Sequence, residues 1–165
     1  MLARRHSGTA TLRVLITIAT LLLTCVPHVV QGQGLPLTIA ASFSPSTVVV
    51  GGTATTTMTV TVTNPNGFSV SGIAFSETYP SGLVPDQIGA YTCAAGSAIF
   101  MGSGWSMAGV TLGAGASCSV PVRMHSTIVG PVTNVTSQVT GTGVPPGGPA
   151  SAVLAVTAMP ASAVP

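Results

Sequence analysis

The pattern that most restricts this chain covers residues 54–63, ATTTMTVTVT, and stops at Asn64-Pro65-Asn66-Gly67. Met58, Val60 and Val62 recur at every second position, with Thr57, Thr59, Thr61 and Thr63 between them. A period of two sends the two sets to opposite faces of a pleated strand, and the branched Val and Thr side chains suit that backbone. The stop is equally firm. Proline has no N–H to give a ladder, and Asn-Gly favours a tight turn. A strand with one apolar face needs a second layer to cover it, so the chain reads first as a β-sandwich.

The rest of the sequence repeats this grammar. Residues 37–43 form a first strand closed by Ser44-Pro45-Ser46, and Val48-Val49-Val50 leads into the Gly51-Gly52 turn. Residues 71–79 put Ile73 and Phe75 on one side and end at Pro80-Ser81-Gly82, after which Leu83 plugs the end of the core. A short strand over 91–95 carries Cys93, and residues 96–109 read as strand, loop and strand. After the Gly113-Ala114-Gly115-Ala116 turn, Cys118, Val120, Val122 and Met124 share an inward face. Strands over 133–140 and 150–157 complete the set, joined by the stiff connector at 144–149. About seven short strands without an amphipathic helix give an all-β chain, an immunoglobulin-like antiparallel β-sandwich.

The first residues belong to a different regime. Arg4, Arg5 and Arg13 precede an uncharged apolar run at 14–23, and small residues follow at 30–32. Residues 1–32 therefore read as a signal peptide, 33–157 as the domain and 158–165 as a flexible tail. Two alternatives stay open: an uncleaved anchor extended through 24–30, and a lipoprotein site at Cys25, although Thr24 is a poor residue before a lipidated cysteine. Arg4-Arg5 also hints at twin-arginine export, which His6-Ser7-Gly8 does not continue. The expected location is secreted, periplasmic or cell-surface, with no stable membrane span once the signal is removed.

Loss of that signal leaves Arg123, Glu77 and Asp86 as the charged side chains, and the chain has no lysine. Nothing here can release counterions from a nucleic acid, so nucleic-acid partners are excluded. Of three cysteines, Cys25 falls in the signal. Cys93 and Cys118 remain, and in an exported chain an even pair reads as one disulfide, with two buried thiols as the alternative. Neither has a histidine or second cysteine at ligand spacing, so no metal or cofactor is expected.

Several motifs together resemble a known family. They are Ser42-Phe43-Ser44-Pro45-Ser46-Thr47, Gly51-Gly52-Thr53, Thr63-Asn64-Pro65-Asn66 and Gly72-Ile73-Ala74-Phe75, then Tyr79-Pro80-Ser81-Gly82-Leu83 and Leu112-Gly113-Ala114-Gly115-Ala116-Ser117-Cys118. The chain is similar to an Ig-like domain of unknown function that recurs, often in tandem, in bacterial surface and secreted proteins. The resemblance covers residues 37–157. It departs in having one copy, in ending without a sorting signal, and in Glu77, where an aspartate is common. It implies a structural or adhesive role and transfers no catalytic residue.

The remaining candidates for chemistry are sparse. His125, Asp86 and a serine are the ingredients of a triad, but no Gly-x-Ser-x-Gly elbow is present and His125 is expected at a solvent-facing strand end. Glu77 and Asp86 are expected on a polar rim or paired locally with Arg123 rather than as a glycosidase pair. No catalytic residue is assigned, and no enzyme is expected. Trp105, in Gly102-Ser103-Gly104-Trp105-Ser106, is the possible ligand contact, stacking on a sugar ring or anchoring a partner if exposed, or packing in the core if not. Asn134-Val135-Thr136 fits a glycosylation acceptor and is read as incidental. The expectation is an exported structural, adhesive or assembly module with an unknown protein or glycan partner, or self-assembly through an edge strand. The alternative is a carbohydrate- or protein-binding module using the 96–109 loop.

Overall fold

The computed structural model describes residues 34–51, 53–93 and 97–161, and every regular element among them is a strand. In chain order these are β1 (Thr38–Ser44), β2 (Thr47–Val49), β3 (Thr56–Thr63), β4 (Val70–Thr78), β5 (Leu83–Ile88), β6 (Ser97–Met101), β7 (Gly104–Leu112), β8 (Ser117–Ser126), β9 (Gly130–Val135) and β10 (Ser151–Thr157). The expected signal at 1–32 and residues 162–165 of the expected tail lie outside the described residues.

One layer is the sheet β1-β3-β8-β5, antiparallel throughout. The other combines β2-β10-β9 with β4-β7-β6. Backbone bonds between β4 and the segment after β9 stitch these together: Ser137 N–H to Ser76 O at 2.8 Å, Thr142 N–H to Ser71 O at 2.9 Å, and a reciprocal pair between Ala74 and Thr140.

The alternation in β3 sets the core. Met58, Val60 and Val62 are buried and stand opposite Val122, Val120 and Cys118 of β8. On the outer face their threonine neighbours pair with serines: Thr61 with Ser119 at 2.9 Å and Thr63 with Ser117 at 2.7 Å. The opposite layer supplies Ile73, Phe75, Met107, Val110, Leu154 and Val156 to the same core. The Cys93–Cys118 disulfide is present, with Cα atoms 4.7 Å apart, and ties the segment after β5 to β8.

Three segments differ from the sequence reading. Leu83 enters the core as expected, but residues 83–88, not expected as a strand, form β5, because Pro85 lies on an edge strand, where a missing N–H is tolerated. Residues 91–93, expected in a strand, run beside β8 without a ladder. Thr92 donates its N–H to Ser119 O, but the return bond from Ser119 N–H goes to the Thr92 hydroxyl instead of the backbone. The strand expected at 133–140 begins earlier, as Gly130–Val135, and the chain beyond it crosses to β4.

The Asn-Pro-Asn-Gly turn is held by a closed amide network. Asn64 Nδ2 donates to the carbonyls of Phe68, Leu112 and Gly113 at 2.8, 3.2 and 2.9 Å. Its Oδ1 accepts from the Asn66 backbone N–H and side-chain amide. Asn66 in turn brackets Leu35, accepting from its N–H at 2.7 Å and donating to its carbonyl at 2.9 Å. Asn64→Ala is expected to cost about 2 kcal/mol in urea unfolding at an unchanged m-value, because buried carbonyls and an N–H lose partners together. A loss below about 0.5 kcal/mol would mean that water replaces the amide fully.

Candidate functional site

The β4-β7-β6 sheet brings Glu77, Trp105 and Phe100 into one cross-strand row, with Glu77 opposite Trp105 and Trp105 opposite Phe100. All three fall on the face turned to the facing layer, and an aromatic series crosses them. Phe75 meets the Trp105 ring edge-on at 4.9 Å between centroids, Phe100 stacks on it at 5.6 Å, and Tyr91 lies 6.4 Å from Phe100. The series runs from the core to the surface: Trp105 is 3 % exposed and Tyr91 is 47 % exposed. Trp105, the possible ligand contact of the sequence reading, is thus enclosed, and the loop expected around it is the β6–β7 hairpin. Gly104 makes this approach feasible, since a Cβ there would collide with the Glu77 carbonyl oxygen.

Glu77 was expected on a polar rim. It is instead 3 % exposed, because the alternation that buries Phe75 also buries residue 77. Neither carboxyl oxygen bonds to a protein group, and the same holds for Trp105 Nε1 and both amide atoms of Asn134. Burial pushes the Glu77 carboxyl up to about 7; attraction to the Asn134 amide, short of a well-formed hydrogen bond, draws it part of the way back. Tyr79 is pushed up to about 12, first by its own burial and then by the charge of Glu77. No sequence signal marked Asn134 as a neighbour of Glu77. Their proximity follows from the crossing that sets Thr136 against Glu77.

Above this buried group, a cleft of about 270 Å³ opens between the edge strands β5 and β6, lined by Tyr79, Pro85, Asp86, Gln87, Ile88, Phe100 and Gly102. Asp86 is the extra residue of a register shift between Pro85 and Gln87, and it pairs with His125 Nδ1 at 2.7 Å rather than with Arg123. His125 and Asp86 are therefore brought together as a triad would need. No serine or threonine hydroxyl hydrogen-bonds His125 among the described residues. A second cleft, of about 240 Å³, lies on the outer face around Ser76, Thr78, Ile99, Ser103 and Ser106. Among the described residues no group of three His, Cys, Asp or Glu side chains is placed to hold a metal, and no helix is long and apolar enough to cross a membrane.

The same arrangement of strands recurs in solved structures. A non-cellulosomal cohesin from the hyperthermophilic archaeon Archaeoglobus fulgidus aligns with a TM-score of 0.53 at 13% identity, over 74% of this chain and 91% of that one. A cohesin module from a Clostridium perfringens family 33 glycoside hydrolase gives 0.51 at 14%, over 75% and 97%. The major pilin subunit of Bacillus cereus gives 0.54 at 7%, over 74% of this chain and 40% of the pilin, so the chain spans well under half of that protein. At such identities the likeness is one of fold. No curated protein matches the sequence. A family model, described as a domain of unknown function (DUF7933), matches residues 38–156, nearly the whole sandwich, and the chain belongs to that family.

Proposed function

We propose that this chain is an exported, non-enzymatic module with a structural, adhesive or assembly role at or beyond the cell envelope. The observation that carries the reading is a disulfide-bridged, almost charge-free sandwich whose few ionisable groups form no working set. Glu77 is shut in the core, and His125 holds only Asp86. A hydrolase of the Ser-His-Asp kind needs a hydroxyl within hydrogen-bond reach of its histidine, and among the described residues His125 bonds Asp86 alone. The names of the structural neighbours, cohesin modules and a major pilin subunit, support the same reading.

A second reading, a glycan- or protein-binding module, is favoured by one feature: the cleft between β5 and β6 with Phe100 in its wall and exposed Tyr91 beside it. The contact would come from these rings, with Trp105 supporting Phe100 from behind.

The test is to express the full chain in a bacterial host, separate cell fractions, and assay the purified protein. It is expected outside the cytoplasm with Cys93 and Cys118 oxidised, and beads coated with it are expected to adhere to cells or to one another. Chromogenic glycosidase, esterase and peptidase substrates should stay intact. Protein found reduced in the cytoplasm, or turnover that disappears in His125→Ala, would overturn the reading.

A further inference from the structure

The sandwich has four strand edges, and three are closed. On β5 the edge carries Pro85, Asp86 and a register shift, each of which obstructs a further strand. The β2 edge is three residues long. Along β1, the chain lies against β10 of the facing layer, and just before the strand Gly147 comes so near Leu37 that a Cβ there would collide with the Leu37 carbonyl. The free edge of β4 is taken by its bonds to residues 137–142, and β9 carries Pro131. Among the described residues β6 ends a sheet with none of these devices. Its sequence, SAIFM, holds no charge and no proline, and Ile99 at its centre is 53 % exposed.

An uncharged, uncovered edge of this kind is a template for another extended strand. We propose that β6 pairs antiparallel with β6 of a second copy of this chain, about a twofold axis through Ile99; this rests on the reading of the chain as an assembly module. The strand is self-complementary. Centred on Ile99, the register sets Ile99 against Ile99 on the outer face and Ala98 against Phe100 on the inner one. The Phe100 ring of each copy then continues the aromatic series of its own domain across the junction. On the outer face Ile99 is flanked by Ser76, Thr78, Ser103 and Ser106; Glu77, which also lines that cleft, is buried, and Asp86 in the neighbouring cleft is paired with His125. The strand itself carries no charge for a partner to read, so two identical edges meet without like-charge repulsion along β6. Exposed Tyr91 and Ile88 beside the edge add apolar surface for the second copy to cover.

Sedimentation of the full chain from about 10 µM to about 1 mM is expected to show a monomer–dimer equilibrium, the range in which a small interface binds. Ile99→Lys should weaken it by about tenfold or more, since a lysine on an edge opposes pairing. Val153→Lys, an equally exposed apolar position on β10, should leave it unchanged. Opposed residues of an antiparallel pair have Cα atoms about 4.5–5.5 Å apart, within disulfide reach, so Ile99→Cys should form a covalent dimer under mild oxidation and Val153→Cys should not. Near-UV circular dichroism of Trp105 confirms that each variant is folded. A monomer at every concentration, a dimer indifferent to Ile99→Lys, or equal cross-linking of the two cysteine variants would overturn the pairing. If such a monomer still adheres when coated on beads, the adhesive reading survives and only the β6 pairing falls.

Discussion

Replacing Cys93 and Cys118 by alanine should lower the unfolding free energy by about 3 kcal/mol. The bridge spans 25 residues of sequence, so it removes a substantial loop-closure entropy from the unfolded chain. In the folded state its contribution is local. Cys118 is buried opposite Val62 at the start of β8, while residues 91–93 reach β8 through two bonds between Thr92 and Ser119 and not through a ladder. Without the bridge that segment has little to hold it. Urea titration followed by Trp105 fluorescence measures the effect. A loss below about 1 kcal/mol would show that the unfolded chain already keeps the two halves close.

A second large effect comes from Glu77. Its folded carboxyl sits at about 7 against an ordinary value of 4.5, so the folded state holds the proton more tightly than the unfolded chain. The stabilisation from that proton is complete below about 4.5 and is lost as the pH rises through about 7. At 1.36 kcal/mol for each unit the full loss is at most on the order of 3 kcal/mol, reduced by whatever water reaches the carboxylate. Glu77→Gln keeps the shape and cannot ionise. The variant should match the parent near pH 4.5 and exceed it in stability at pH 8. Parallel stability–pH curves for the two proteins would show that the carboxylate finds a partner in solution.

Much of the architecture was legible because alternation is a local signal. The inward faces of β3, β8 and β10 follow directly from apolar residues at every second position, and the disulfide from an even pair of cysteines in a chain read as exported. Two motifs read separately, Thr63-Asn64-Pro65-Asn66 and Leu112-Gly113-Ala114-Gly115-Ala116, turn out to be one object. Asn64 bonds the carbonyls of Leu112 and Gly113, and Gly115 N–H bonds the Asn66 carbonyl. Strand β5 was hidden by Pro85 and Asp86, residues that mark loops in most contexts and an obstructed edge in this one. The surroundings of Glu77 were hidden for another reason. The residue was legible as part of an alternating strand, yet its acidity argued for the surface, and the neighbours that make burial tolerable come from β7 and β9. Such long-range juxtapositions leave no trace in a local pattern, which is also why Trp105 had two open readings until its packing against Phe75 and Phe100 was known.

The pairing of β2 with β10 has a mechanical meaning. Among the described residues it is the parallel pair, with Thr47, Val48 and Val49 beside Ala155, Val156 and Thr157. Tension that draws the chain entering β2 away from the chain leaving β10 acts along these strands, so it shears the rungs together and cannot peel them one at a time. Should the domain give way, the Cys93–Cys118 bridge still withholds its 25-residue loop, roughly 80 Å of contour at about 3.4 Å per residue, from the lengthening chain. A domain tethered at both ends would yield late under load, and then only in part.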